Sequence, residues 1–536
     1  MDDADGVAAR QPQDEFALSR GGRLHPSHCK DGAVVRGAVG HEGCRTGNGG
    51  RDRGRRRRAA GPPARENTKK APMPALPTLL ARALAGAALA LLGACASLPE
   101  IAHDDGGAAG TGRVRIDGAH GPLSAAAQGR ILARLQADGQ DTDIFERHLA
   151  FEQEIVGSPL SAGNRVTLLQ DGPATYQALY AALAGAENSI DMESYIIEDD
   201  EVGQRFAGEL KAAQARGVVV NLIYDGVGSL GTPQAYFDDL AAHGVNTLQF
   251  NPVDPRKARA GWDVNQRDHR KLTIVDGRIA FVGGINISSV YSGGSFSQHS
   301  KNRPGQPVPW RDTDVRIEGP AVAEFQRLFM DTWARQRGAP MASADYFPQL
   351  ERQGDVVVRA IGGTASEPYS QIYATLVSAI RSASTSILLA NAYFDPDPQL
   401  LQALEEAARR GVDVQLMLPS VSDTWLVKSA GRRHYGRLLE AGARIYLRKD
   451  ALLHAKTTLI DGVWSAVGST NLDWRSFLHN DEIDAIVLSA SFGDQMRAAF
   501  RADQAESEPL TLEQWRHRPL VDRIQELAAG MWEYWL

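Results

Sequence analysis

Two stretches far apart in the chain carry the same arrangement of reactive side chains. The first reads His269-Arg270-Lys271-Leu272-Thr273-Ile274-Val275-Asp276-Gly277, and the second His454-Ala455-Lys456-Thr457-Thr458-Leu459-Ile460-Asp461-Gly462. In both, lysine lies two residues beyond histidine and aspartate seven beyond. A tiny residue (Gly284 or Ser469) follows at fifteen and an asparagine (Asn286 or Asn471) at seventeen. A lone His-x-Lys is usually surface decoration and Asp-Gly turns are common, but one spacing kept across five positions in two copies is a different matter. Imidazole can attack an electrophile or carry a proton near neutral pH. Lysine and asparagine supply fixed positive charge and amide donors for an anionic group. The two sets read as halves of one site.

The elements that must hold these residues follow from the flanking pattern. Asp-Gly between apolar runs signals a two-residue hairpin turn, and strand alternation points His269 and Lys271 the same way, as it does His454 and Lys456. Counting back from such turns pairs Val275 with Arg278 and His269 with Gly284, and likewise Ile460 with Val463 and His454 with Ser469. A tiny residue opposite each histidine leaves room for a substrate oxygen. Asp276 and Asp461, at the turns, read as structural. Upstream, residues 189–195, 202–216 and 218–224 read as strand, amphipathic helix and strand, and 386–394, 400–410 and 412–418 repeat that order. Both helices end in Arg-Gly-Val, glycine being the expected stop. Such units imply parallel pairing and an α/β sheet covered on both faces. The expected organisation is a spacer and N-terminal helical segment over 96–159, repeats over 160–345 and 350–520, and a C-terminal helix over 521–536.

The motifs resemble the paired His-x-Lys-x4-Asp signatures of the phospholipase D superfamily, and in particular the bacterial cardiolipin synthases. Supporting stretches are Ile279-Ala280-Phe281-Val282-Gly283-Gly284-Ile285-Asn286, Trp310-Arg311-Asp312-Thr313-Asp314-Val315, Ala390-Asn391-Ala392-Tyr393-Phe394 and Val467-Gly468-Ser469-Thr470-Asn471-Leu472-Asp473-Trp474-Arg475-Ser476. The resemblance implies a duplicated α/β/α sandwich with pseudo-two-fold symmetry and one shared active site. It implies a carboxylate beyond each asparagine that orients a histidine: Glu482 in repeat two and Asp312 in repeat one, where Asp314 competes. It also implies His269 as nucleophile, forming a phosphohistidine, and His454 as the acid that later serves as base. Lys271, Lys456, Asn286 and Asn471 would neutralise the phosphoryl oxygens, with Gly284 and Ser469 at the phosphate and neither metal nor cofactor required. The acceptor decides the product. The hydroxyl of phosphatidylglycerol gives cardiolipin, the first expectation; water gives phosphatidic acid, the second. A nuclease of the same superfamily ranks below both, and a non-catalytic scaffold last, since neither motif is damaged.

Charge and cysteine usage bear on partner and address. The net charge of -7 combines +6 over residues 1–72 with -13 over the remainder. An acidic body is a poor platform for the phosphate contacts that dominate nucleic-acid affinity, so no nucleic-acid partner is expected. Residues 1–72 lack apolar periodicity and read as a basic, disordered leader upstream of a true start at Met73. Residues 73–95 read as a signal peptide: a short apolar run too brief to span a bilayer, then Leu92-Gly93-Ala94-Cys95, which resembles a lipobox. Cys95 would then be lipidated and the enzyme anchored on the periplasmic side of a membrane that holds its phospholipid substrate. The three cysteines are Cys29, Cys44 and Cys95, so the body needs no disulfide. Residues 291–309, Gly-, Ser- and Pro-containing between Asn286 and Asp312, read equally as a lid at the site mouth or a passive insertion.

Overall fold

The computed structural model describes residues 98–101, 114–138, 142–257, 262–294 and 308–532. The leader, the signal-like run, Cys95 and most of the 291–309 insertion lie outside the described residues. Gly217 and Gly411 stop their helices at φ +93° and +95°. Beyond them the Val218 and Val412 N–H groups reach back to the Ala213 and Ala407 carbonyls, both at 3.1 Å. This is the closing bond expected at a left-handed glycine stop. The strands that follow then lie parallel to those before.

After a small antiparallel pair, β1 (Ile116–Gly118) and β2 (Gly121–Pro122), the first half contains β3 (Leu160–Gln170), β4 (Ser189–Ser194), β5 (Val219–Asp225), β6 (Asn246–Phe250), β7 (Arg267–Asp268), β8 (Lys271–Val275), β9 (Ile279–Gly283), β10 (Trp310–Arg311) and β11 (Thr313–Glu318). The second half contains β12 (Val356–Gly363), β13 (Ser386–Asn391), β14 (Asp413–Pro419), β15 (Arg444–Arg448), β16 (Leu452–Leu453), β17 (Lys456–Ile460), β18 (Trp464–Gly468) and β19 (Asn480–Leu488), with β20 (Ser507–Leu510) against β15. Strand order is β6-β5-β4-β8-β9-β11-β3 in the first half. It is β15-β14-β13-β17-β18-β19-β12 in the second. Antiparallel pairing of β3 with β12 joins them.

Helices cover both faces. The first half's outer face buries Tyr176, Leu183, Phe206 and Leu210, and the second half's buries Tyr373, Ile380, Leu400 and Leu404. The inner layer is shared: helix Val322–Arg335 contributes Phe325 and Phe329, and helix Ala490–Ala505 contributes Phe492 and Phe500, to one core containing strands of both halves. Each such side chain contributes about 1.5–3 kcal/mol on burial, so the halves are held as one body by their common core.

The hairpins depart from the expected register. Asp276-Gly277 and Asp461-Gly462 do take left-handed turns, with φ +54°, +62°, +50° and +71°. However, the ladders resume at Val275↔Ile279 and Ile460↔Trp464, one residue later than a two-residue turn gives. The added residue in the second half is Val463, whose side chain is buried in the core and whose carbonyl accepts the Ser489 N–H at 2.9 Å. Packing against the next helix start takes up the extra residue. Gly284 and Ser469 are therefore not the cross-strand partners of His269 and His454.

The turn aspartates clasp each hairpin to the strand beside it. Asp276 accepts from the backbone N–H groups of Glu187, Asn188 and Ser189. Asp461 accepts from those of Ser384, Thr385 and Ser386 and from the Thr142 hydroxyl. Asparagine tolerates the same positive φ but carries no charge. Asp276→Asn and Asp461→Asn are thus expected to cost about 1–3 kcal/mol of stability, with activity per folded molecule kept. Thermal unfolding and specific activity of the folded fraction check this; a stable, inactive Asp276→Asn protein would return that carboxylate to the site.

Candidate active site

Each histidine follows a short strand that pairs with the opposite half of the molecule. β7 runs parallel to the start of β19, and β16 runs parallel to β10. The His269 N–H donates to the Asp481 carbonyl at 2.9 Å, and the His454 N–H to the Arg311 carbonyl at 2.7 Å. The residue after each of these carbonyls is a carboxylate. His269 Nδ1 lies 2.9 Å from Glu482 Oε2, and His454 Nδ1 lies 2.7 Å from Asp312 Oδ2. The pairs are crossed, each carboxylate serving the histidine of the other half. Asp314 does not compete for this place: its Oδ1 accepts the Ile285 N–H at 3.1 Å.

Two ion pairs lock the crossing, one buried and one partly exposed at its arginine. Arg311 forks onto Asp503 at 3.0 and 2.9 Å, while Arg335 donates to Asp481 at 2.6 Å. The residue before each orienting carboxylate is thereby tied to the inner helix of the opposite half, with the charges reversed between the two. Arg270, between His269 and Lys271, donates to the Glu482 and Gly363 carbonyls at 3.0 Å each.

With Nδ1 held by a carboxylate, Nε2 is the nitrogen each ring can offer to a substrate. Both rings border one cavity of about 460 Å³, together with Asn286, Asn471, Tyr195 and Tyr393. Gly284 and Ser469 do not line it. A Cβ on Gly284 would fall 2.3 Å from Asp312 Oδ1, and the Ser469 hydroxyl donates to Glu482 Oε2 at 2.5 Å. The space expected for a substrate oxygen is occupied by the orienting carboxylates. Lys271 and Lys456 stand behind the rings: Lys271 Nζ donates to the His269 carbonyl at 2.5 Å, and Lys456 Nζ lies 3.0 Å from His454 Nδ1. Asn286 Oδ1 accepts the Ile196 N–H at 3.1 Å, which fixes the amide.

Several residues at the site were not singled out from the sequence. Tyr195 and Tyr393 follow the equivalent strands β4 and β13 and pack edge-on to His269 and His454, at 5.0 and 6.1 Å between ring centroids. Tyr195 lies one residue beyond its strand and Tyr393 two beyond, so they do not occupy matching positions of the repeat and no duplicated spacing pointed to them. Tyr291, buried, has its hydroxyl 3.3 Å from His454 Nδ1 and accepts from Asn286 Nδ2 at 3.1 Å. The Trp310 ring centroid lies 4.9 Å from that of His454. These two stand at the ends of the 291–309 insertion, where periodicity offers no guide.

Burial, reinforced by the lysines, lowers both histidines, His454 to about 4 and His269 well below its ordinary value. Burial also lowers Lys271 to about 7 and Lys456 to about 8, against the nearby carboxylates, and raises Glu482 to about 7. The site at neutral pH thus offers unprotonated rings beside lysines close to losing their charge. A lysine is cationic below its pKa, so positive charge disappears as pH rises through 7–8. Should that charge be needed to receive an anion, kcat/KM falls over this window; an alkaline limb above pH 9 would assign the lysines ordinary values.

The chain matches the family model described as "Cardiolipin synthase, PLD-like domain" over residues 179–292 and 376–504, one segment in each half. It is 34% identical to a cardiolipin synthase of Geobacillus kaustophilus over 375 residues, 70% of this chain and 72% of that protein. It is 32% identical to a cardiolipin synthase of Listeria monocytogenes over 377 residues, covering 70% and 76%. With cardiolipin synthase A of Pseudomonas entomophila it shares 34% over 376 residues, covering 69% and 74%. Among solved structures, phosphatidylserine synthase of Haemophilus influenzae superposes with a TM-score of 0.53 at 13% identity, over 72% of this chain and 99% of that one, a likeness of fold.

Proposed function

Because the chain belongs to the phospholipase D superfamily, among the cardiolipin-synthase-like phosphatidyltransferases, we propose that it converts two molecules of phosphatidylglycerol into cardiolipin and glycerol through a phosphohistidine. The observation that carries this reading is the pair of crossed histidine–carboxylate couples facing one cavity. His269 Nε2 attacks phosphorus, and the departing glycerol oxygen takes a proton from His454. A hydroxyl of the second phosphatidylglycerol then attacks the same phosphorus, gives its proton to His454 and frees His269. Glu482 holds His269 with the lone pair on Nε2. His454 is unprotonated in the empty site, and arrival of the phosphodiester supplies the negative charge that favours its proton. The same anion draws the charge of Lys271 and Lys456, and the Asn286 and Asn471 amides, to the phosphoryl oxygens.

The test is to incubate purified protein with phosphatidylglycerol vesicles, with and without phosphatidylethanolamine, and to identify products by mass spectrometry. Cardiolipin with equimolar glycerol is expected. Phosphatidic acid alone would make the protein a hydrolase, and no lipid product would sink the lipid reading.

For its address, lipidation at Cys95 and export are proposed, on the strength of the apolar run before Leu92-Gly93-Ala94-Cys95. Among the described residues no helix is long and apolar enough to cross a membrane. Wild-type protein is expected to fractionate with membranes and to begin at acylated Cys95, with Cys95→Ser unprocessed or released. Identical processing and fractionation of the two would make the segment an ordinary anchor.

A further inference from the structure

Helix Leu520–Gly530 is amphipathic in an inverted sense. Its buried side carries Glu526, which takes Arg432 Nε at 3.1 Å and Arg518 Nη2 at 2.8 Å, beside Ala529. Its outward side carries Leu520, Val521, Ile524 and Leu527, and Met531 and Trp532 follow at its end, all exposed, with Leu527 at 76%. Positions 520, 524, 527 and 531 recur every three to four residues and form one stripe. An exposed apolar face of this size marks an interaction surface, and this helix is fastened to the body by its charges rather than by its apolar residues.

Its position indicates what covers that stripe. The Arg432 contact ties it to helix Trp425–Arg432, which begins at the active-site cavity. Asp423, Thr424 and Val427 line the cavity, while Trp425 between them is 64% exposed and Val421 just before them is also exposed. Exposed apolar side chains therefore occur from the cavity mouth to the helix bolted beside it. Arg523, exposed in the same helix, adds positive charge for anionic headgroups.

We propose that the outward face of helix Leu520–Gly530, with Trp425 and Val421, docks on a phospholipid bilayer and sets the cavity mouth against it. The proposal rests on the reading of phospholipid as substrate. The helix lies in the plane of the interface with its apolar stripe among the acyl chains, and Trp425 and Trp532 sit at the headgroup level that tryptophan favours. Lipid then enters the cavity from the surface the protein rests on.

The test uses the full chain and its Ile524→Glu/Leu527→Glu double variant, changed only at exposed positions. Two measurements are made: amide hydrogen exchange over 421–432 and 520–532 with and without phosphatidylglycerol/phosphatidylethanolamine vesicles, and turnover on those vesicles and on monomeric dihexanoyl-phosphatidylglycerol. Vesicles are expected to slow exchange in both segments of the wild type and not of the variant. The variant should lose about tenfold or more of vesicle turnover while keeping turnover on the monomer. Unchanged exchange with equal vesicle turnover in both proteins overturns the proposal. Protection of 520–532 that follows protein concentration without vesicles also overturns it, since a second copy would then cover the face. Vesicle-dependent protection without any lipid product upholds the docking face and removes the substrate reading, so the two fail separately.

Discussion

His269→Ala and His454→Ala are each expected to abolish measurable turnover of phosphatidylglycerol without unfolding the protein. The two rings border one cavity but are held by different carboxylates, so neither can stand in for the other. Loss of general acid–base help costs roughly 10²–10⁴-fold, and loss of the nucleophile more. The double variant should be no worse than the poorer single one, because residues acting in one sequence of steps are not additive. A phosphodiester with a nitrophenol leaving group separates the roles, since nitrophenolate departs without a proton. His454→Ala should release one equivalent of nitrophenol and stall as a phosphorylated protein, while His269→Ala should release none. A burst from His269→Ala and none from His454→Ala would reverse the assignment; near-normal turnover by either single variant would end the shared-site account. Circular dichroism and thermal unfolding of each variant separate lost chemistry from a lost fold.

What the sequence disclosed of this arrangement depended on the range of the forces involved. The helix stops at Gly217 and Gly411 were legible because a left-handed step is a local demand that glycine meets cheaply. The parallel strands followed from those stops, and the duplicated His-x-Lys pairs could be read without any knowledge of what lies across from them. Strand register was less accessible. One residue of slack at Val463 depends on a core and a helix start that are distant in sequence, and it moved Ser469 away from its expected place. The crossing of the carboxylates was not accessible at all. Asp312 and Glu482 occupy equivalent places along their own halves, and only the pairing of β7 with β19 and of β10 with β16 decides which ring each meets. Tyr291 at the start of an aperiodic insertion and Trp310 just past its end reach His454 by the path of the chain rather than by helical or strand periodicity. Helix Leu520–Gly530 shows apolar spacing that ordinarily marks a core face, and only the ion pairs of Glu526 reveal that it is turned outward.

The crossing has its own consequence. Glu482→Gln and Asp312→Asn keep the shape of each side chain and remove the charge that holds Nδ1, and each is expected to lower turnover by up to about 10⁴-fold, the loss seen when a carboxylate that fixes a catalytic imidazole is neutralised. Because the couples are exchanged between halves, the damage should appear in the ring of the opposite half. Ring ¹⁵N shifts of His454 should move in Asp312→Asn with those of His269 little changed, and Glu482→Gln should do the converse. The lysines give an independent sign. Glu482 is the leading charge that raises Lys271 against its burial, and Asp312 is the leading one for Lys456. Removing either carboxylate leaves burial less opposed, so the lysine loses its proton at lower pH, and the alkaline limb of residual kcat/KM should move down from the 7–8 window. An upward move, or a disturbance of the histidine in the same half as the altered carboxylate, would be incompatible with the crossed arrangement.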